Sequence, residues 1–176
     1  GVIHQVLQRK TIIYRKQIGS SADMQILSTN VDYAFITTSV NSDLNYRRLE
    51  RYLTIATDAD IKPVILLTKA DICKENINNI VADVKKEFPG VAVHPMSKNN
   101  FASCEFVKAD YQENFQKNYP IHFWSEYLKK GSTSIIIGSS GVGKSTLINF
   151  LILLMFHCFS SFQLSSSKLI YRLNNY

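Results

Sequence analysis

Hydrophobic and polar positions alternate along this chain with two different periods, and each change of period marks an element. Val31-Asp32-Tyr33-Ala34-Phe35-Ile36-Thr37-Thr38 is rich in β-branched and aromatic residues and predicts a strand. Asn41-Ser42-Asp43 follows as a turn with a helix cap. From Leu44 to Ala56 the apolar residues Leu49, Tyr52, Leu53 and Ala56 recur at helical spacing. Arg47, Arg48, Glu50 and Arg51 fall largely outside that stripe and read as a solvated face, with RNA contact as the alternative for the arginines. Pro63–Leu67 is a continuous apolar run, the mark of a strand buried on both faces. Asn76–Phe88 predicts a second helix, with Ile77, Ile80, Val81, Val84 and Phe88 on one side, and Pro89-Gly90 stops it. Val91–Val93 begins a third strand that ends near Met96-Ser97.

Asn99–Pro120 has no clean period and reads as a long loop or insertion. His122–Lys130 is helix-like, with Phe123, Trp124, Tyr127 and Leu128 as the packing side and Gly131 as its end. Ser134–Ile137 is a fourth apolar strand. Leu147–Phe159, broken by Asn149 and His157, is shorter than the ~20 residues a membrane span needs and predicts a buried helix. Strands alternating with amphipathic helices give an α/β fold: a parallel sheet with helices on both faces. Right-handed crossovers then place every strand's C-terminal end on one rim.

The first residues behave differently. Val2, Ile3, Val6 and Leu7, then Thr11, Ile12, Ile13 and Tyr14, alternate weakly around Gln8-Arg9-Lys10, which predicts two strands joined by a short turn. Arg9, Lys10, Arg15 and Lys16 stand there without an acidic residue, suiting a solvated face or an RNA-facing one equally. Ser20–Gln25 is polar and linker-like. Composition adds little beyond a bound: 45% hydrophobic and 19% charged residues over 176 positions allow one core-forming domain with a small appendage. The net charge of +6 suits a polyanionic partner. Cys73, Cys104 and Cys158 lie far apart and odd in number, fitting a reducing compartment better than a disulfide framework or a zinc site. The chain does not begin with Met and carries no charged-then-apolar leader, so no secretory signal is expected and it reads as a fragment at that end. His4, His94, His122 and His157 share no motif and read as surface or packing residues.

Chemistry enters at Gly138-Ser139-Ser140-Gly141-Val142-Gly143-Lys144-Ser145-Thr146, which fits G-x-x-x-x-G-K-[ST] between a strand and a helix. Glycines permit the tight turns that aim successive backbone N–H groups at a phosphate, and the helix N-terminus adds partial positive charge there. Lys144 is then the group that reaches the β- and γ-phosphates, and Ser145 the hydroxyl that ligates Mg²⁺. Thr68-Lys69-Ala70-Asp71, directly after the second strand, matches the [NT]-K-x-D pattern of guanine recognition. A carboxylate at Asp71 accepts from guanine N1–H and its exocyclic amine, whereas adenine leaves it unpaired. Lys69 lays its stem along the base. Read alone, the tetrapeptide also fits a carboxylate capping the next helix. Ser97-Lys98, after the third strand, suits either a backbone N–H contact to the base O6 or a plain turn.

The base loops precede the phosphate loop, the reverse of the order in ordinary small GTPases. With that order, Asn30-Val31-Asp32, Asp43–Leu53, Thr68–Asp71 and Gly138–Asn149 resemble the ribosome small subunit-dependent GTPase A family over about residues 1–150. Those are circularly permuted GTPases with an N-terminal OB-fold and a C-terminal zinc-binding domain. The resemblance implies a P-loop NTPase-like sheet, circularly permuted and incomplete, with residues 1–22 as the end of an OB-fold, 23–150 as a partial GTPase domain and 151–176 as a divergent apolar, Ser-rich tail. It also implies GTP or GDP with Mg²⁺, GTP hydrolysis stimulated by the small ribosomal subunit and its rRNA, a role in 30S maturation, a cytoplasmic monomer and no membrane partner.

After Phe150 the family pattern stops: no switch threonine, D-x-P-G loop or zinc-spaced Cys/His set follows before Tyr176. About two strands are therefore expected to be missing, with little hydrolysis by this chain alone, and an apolar tail with no evident sheet edge to cover implies marginal stability or aggregation. A truncated or frame-disrupted product and a deliberately short fragment both fit. No catalytic residue is assigned. A non-catalytic GTP- or RNA-binding module and an ATP-using P-loop protein are the competing readings.

Overall fold

The computed structural model describes residues 1, 3–5, 8–16, 24–41, 44–73, 75–97, 124, 126–158 and 168–171. Its centre is β3 (Tyr33–Ser39), buried along nearly its whole length. On one side β3 pairs in parallel with β4 (Lys62–Thr68), which pairs with β5 (Ala92–Pro95). On the other side it pairs with β6 (Thr133–Gly138), which pairs with β7 (Lys168–Tyr171). The sheet is five-stranded and parallel throughout, in the order β5-β4-β3-β6-β7. Parallel strands require crossovers, and the connecting helices cover both faces.

Which helix covers which face follows from the two-residue period of the strands. Ile36, Ile65 and Leu67 face α1 (Tyr46–Asp58) and α2 (Ile77–Glu87), packing on Leu49, Leu53, Ile80 and Val84. Their neighbours Phe35, Val64, Leu66 and Ile136 point the other way, against Leu147, Phe150 and Leu151 of α3 (Lys144–Cys158). Trp124, Tyr127 and Leu128 close that second face, with Trp124 and Phe35 edge to face at 5.5 Å. The Trp124 group is thus core, as its helical spacing predicts. Among the described residues no helix is long and apolar enough to cross a membrane.

Four features differ from the sequence reading. In the N-terminal region β1 (Ile12–Lys16) pairs antiparallel with β2 (Met24–Thr29), so residues 24 and 25 belong to a strand rather than a linker, while Val2, Val6 and Leu7 of the expected first strand lie outside the described residues. This register buries Ile13 against Val31, Ala34 and Ala56, a contact that local alternation cannot reveal. Asn30, left-handed at φ 56°, then turns the chain into β3, and its Oδ1 accepts from the Lys10 N–H. The cap of α1 is Asn45, outside the 41–43 turn; its Oδ1 accepts from the Arg48 N–H at 3.0 Å. The tail supplies β7, which pairs with β6, so the tail does find a sheet edge to cover. Arg48 is the fourth, and it belongs to the site. The 99–120 insertion, Lys98 and Phe123 lie outside the described residues.

Candidate functional site

The site is built on the C-terminal rim, where β3, β4, β5 and β6 all end. Gly138 closes β6 opposite Thr37 of β3. A Cβ there would collide with Thr37 Oγ1 and its backbone oxygen, so only glycine lets the two strands end this close. Thr37 Oγ1 instead donates to the Ile137 carbonyl at 2.9 Å. Beyond Gly138 the loop turns at Gly141 and Gly143, both left-handed at φ 76° and 99°. It enters α3 with Leu147 N–H bonded to the Gly143 carbonyl at 3.0 Å. Ser140, Ser145 and Thr146 are exposed, while Val142 is buried.

Lys144 is 4% exposed. Its Nζ donates to the carbonyl of Gly138 at 2.9 Å and to that of Ser139. A buried ammonium held by carbonyl dipoles is costly unless it also meets an anion. The loop therefore holds a buried cation on two of its own carbonyls, an arrangement that suits an anion such as a phosphate arriving beside it.

The base loop sits beside it. Thr68 Oγ1 donates to the Val142 carbonyl at 2.6 Å, with the Thr38 carbonyl a more distant second acceptor at 3.2 Å. A hydroxyl has one proton, so the bond to the phosphate loop is the stronger of the two. Lys69 is left-handed at φ 59°, and this turns the chain into the 3-10 turn Ala70–Ile72 that carries the exposed Asp71. The end of β5 is laced to the same turn: Met96 N–H bonds to Leu67 O at 2.7 Å, and Ala70 N–H to Met96 O at 3.0 Å. Ser97 follows directly and is buried. The rim therefore gathers Thr68, Lys69, Asp71, Ser97 and the 138–146 loop, which the sequence places up to 78 positions apart (68 to 146).

Arg48 was not expected here. It is half-buried, and its Nη1 donates to Ser139 Oγ at 2.9 Å. The available signal was positional: the first turn of a helix that follows a parallel strand lies on the ligand rim. Its neighbours Arg47 and Arg51 are exposed, as a solvated face requires. Among the described residues no group of three or more His, Cys, Asp or Glu side chains is placed to hold a metal ion. Away from the rim, His94 of β5 has its Nε2 3.4 Å from Tyr127 Oη. Burial pushes its imidazole below the usual value and Lys85 adds to the effect, with Glu126 opposing.

A family model described as RsgA GTPase matches residues 6–155. The chain belongs to the RsgA GTPase family. A small ribosomal subunit biogenesis GTPase RsgA 2 from Vibrio parahaemolyticus is 34% identical over 148 residues, covering 84% of this chain and 36% of that protein. The protein of the same name from Lactiplantibacillus plantarum is 38% identical over 152 residues, covering 85% and 37%. The chain thus spans little more than a third of the length of these curated relatives. The crystal structure of YjeQ from Thermotoga maritima superposes with a TM-score of 0.58 over 84% of this chain and 44% of that one, at 21% identity, a likeness of fold. Within the family frame, the base-first order of motifs is the circular permutation that the sequence suggests.

Proposed function

We propose that this chain is the guanine-nucleotide-binding part of a GTPase that acts in maturation of the small ribosomal subunit. The observation that carries the reading is the 2.6 Å bond from Thr68 to Val142, which joins a T-K-x-D loop to a phosphate loop in a chain of this family. The nucleotide supplies the phosphoryl group, and Mg²⁺ its charge compensation. The chain's own residues then have defined tasks. Asp71 accepts from the guanine edge, the Lys69 stem lies along the base, and a backbone N–H at Ser97 meets O6. Backbone donors from Gly138 to Val142, with Gly143, surround the phosphates. Lys144 leaves its loop carbonyls for a phosphate oxygen, Ser145 offers its exposed hydroxyl to Mg²⁺, and Thr146 adds a donor at the start of α3. The exposed Arg9 and Lys10 beside the β1–β2 hairpin, read as the end of an OB-type barrel, face rRNA, and a cytoplasmic monomer fits this role.

Titration with GDP, GTP, ADP and ATP tests the reading. GDP and GTP are expected to bind and the adenine nucleotides not to. Asp71→Asn should weaken GDP by about a hundredfold, the equivalent of two hydrogen bonds to a charged acceptor. Equal affinity for ATP and GTP would favour the ATP-using alternative, and no binding at all would end both. Because Gly1–Tyr176 holds no D-x-P-G loop, single-turnover hydrolysis by this polypeptide should stay slow even with small ribosomal subunits. Ribosome-stimulated turnover would overturn that part alone.

A further inference from the structure

We propose that Arg48 is a positioning residue of the phosphate loop, acting through Ser139 from the sheet face opposite α3. The inference rests on reading that loop as a nucleotide site. Two contacts, among others, hold Ser139 through its side chain and its backbone: its Oγ accepts from Arg48 Nη1 at 2.9 Å, and its carbonyl accepts from Lys144 Nζ. The two contacts have different fates when a phosphate arrives. Lys144 turns to the anion and lets the Ser139 carbonyl go, whereas a bond between two side chains on the outer flank of the loop persists. Arg48 is thus the contact that keeps the loop's entry in place while its lysine is engaged.

The guanidinium is well placed for this. Leu49, next to it, is 1% exposed and fixes the rotation of α1 against Ile36, Ile65 and Leu67. Asn45 fixes the helix start by accepting the Arg48 N–H. The junction before α1 is itself tied down, with Ser39 Oγ donating to Asn41 Oδ1 at 2.7 Å and Val40 N–H to the Thr68 carbonyl at 3.0 Å. The same threonine grips the far end of the loop through Val142. Residues 39–41, 45–48 and Thr68 therefore form a bracket that holds the phosphate loop at Ser139 and at Val142. Arg48 adds a permanent positive charge at the first of these points, and its planar fork suits a fixed hydroxyl better than a flexible ammonium does.

The test uses the 176-residue chain, with GDP and GMP as probes in Mg²⁺ buffer. Arg48→Met keeps the stem and removes the fork. GDP affinity should fall about tenfold, the worth of one charge-assisted hydrogen bond. GMP, which lacks the second phosphate, should hold nearly unchanged. Ser139→Ala should reproduce the GDP loss, the double variant should be no worse than either single one, and Arg48→Lys should recover part of it. Where Arg48→Met lowers the melting temperature sharply, Ser139→Ala and Arg48→Lys carry the test. Equal losses for GDP and GMP, or a Ser139→Ala chain that binds GDP like the unsubstituted one, would overturn the proposal. An unsubstituted chain that binds neither nucleotide sinks the reading of the site, and this proposal with it.

Discussion

Thr68→Val isolates the bond that couples the two halves of the site. The substitution keeps the β-branched shape at a position 4% exposed and removes only the hydroxyl, so packing is preserved. It leaves the Val142 carbonyl, in a residue 1% exposed, without the donor now 2.6 Å away. Stranding a buried acceptor costs about 1–3 kcal/mol. Taking about 2 kcal/mol, the melting temperature of a domain this size should drop by roughly 4–8 °C. Binding obeys a separate bound. If the bond holds the loops at their bound spacing in the free protein, its loss lowers the competent fraction, and the apparent dissociation constant rises by the inverse of that fraction. The rise cannot exceed the whole of the lost bond, about thirtyfold at 2 kcal/mol, and it shrinks where GDP itself holds the loops together. A value of about threefold to thirtyfold is expected. Thermal melts without ligand, paired with GDP titration calorimetry, separate the two effects. A lowered melting temperature with unchanged GDP affinity would refute the preorganisation argument, because the bond would then serve the fold alone.

Two further outcomes are expected. Gly138→Ala should destabilise the fold by about 2–3 kcal/mol through overpacking against Thr37, whereas Gly141→Ala, with no atom within 4 Å of the new methyl, should cost only the ~1 kcal/mol of a left-handed backbone; similar melting temperatures for the two variants would count against the close approach of β3 and β6. His94 should make the protein less stable in mild acid. Burial and Lys85 lower its folded pKa below the unfolded value of about 6.5, with Glu126 opposing and Tyr127 in contact. The unfolded chain therefore takes up the proton first as pH falls below about 6.5, and stability declines until the folded imidazole titrates too. Urea unfolding at pH 7.5 and 5.5 should show this drop, and His94→Gln should lessen it; an equal drop in both proteins would assign it elsewhere.

What the sequence discloses and what it hides divide along a physical line. β3, β4 and β6 are legible because strands buried on both faces carry unbroken apolar runs. α2 is legible because Asn76, which caps it with Oδ1 on the Asn78 N–H, stands next to its apolar stripe. The placing of Asp71 and Lys144 on one rim is legible because each stands in a short contiguous motif at a strand's end. The features that escape are contacts between distant segments. Arg48 meets Ser139 across 91 positions, and Thr68 meets Val142 across 74. β7 is four residues of the Ser-rich tail, a run too short to stand out as a strand without its partner β6. The β1–β2 pairing escapes because residues 24 and 25 fall in a stretch that reads as a polar linker, and the burial of Ile13 that goes with it is made by distant residues.

The permuted motif order shows why the site was nevertheless within reach. In a parallel sheet the rim is defined by strand direction and not by chain order, so a motif at any strand's C-terminal end reaches the same rim. Thr68 ends β4, Ser97 follows β5 and Gly138 ends β6, so moving the chain's start exchanges their order without moving them in space. What permutation cannot preserve by itself is the fine register between loops. Here that register rests on β3, the strand that lies between β4, which leads into the T-K-x-D loop, and β6, which leads into the glycine-rich loop, and is bonded to both. The side chain of Thr37 sets how near β6 can come, and the helix that β3 launches delivers Arg48 to the loop. The strand carrying neither motif thus sets the distance between the two that do.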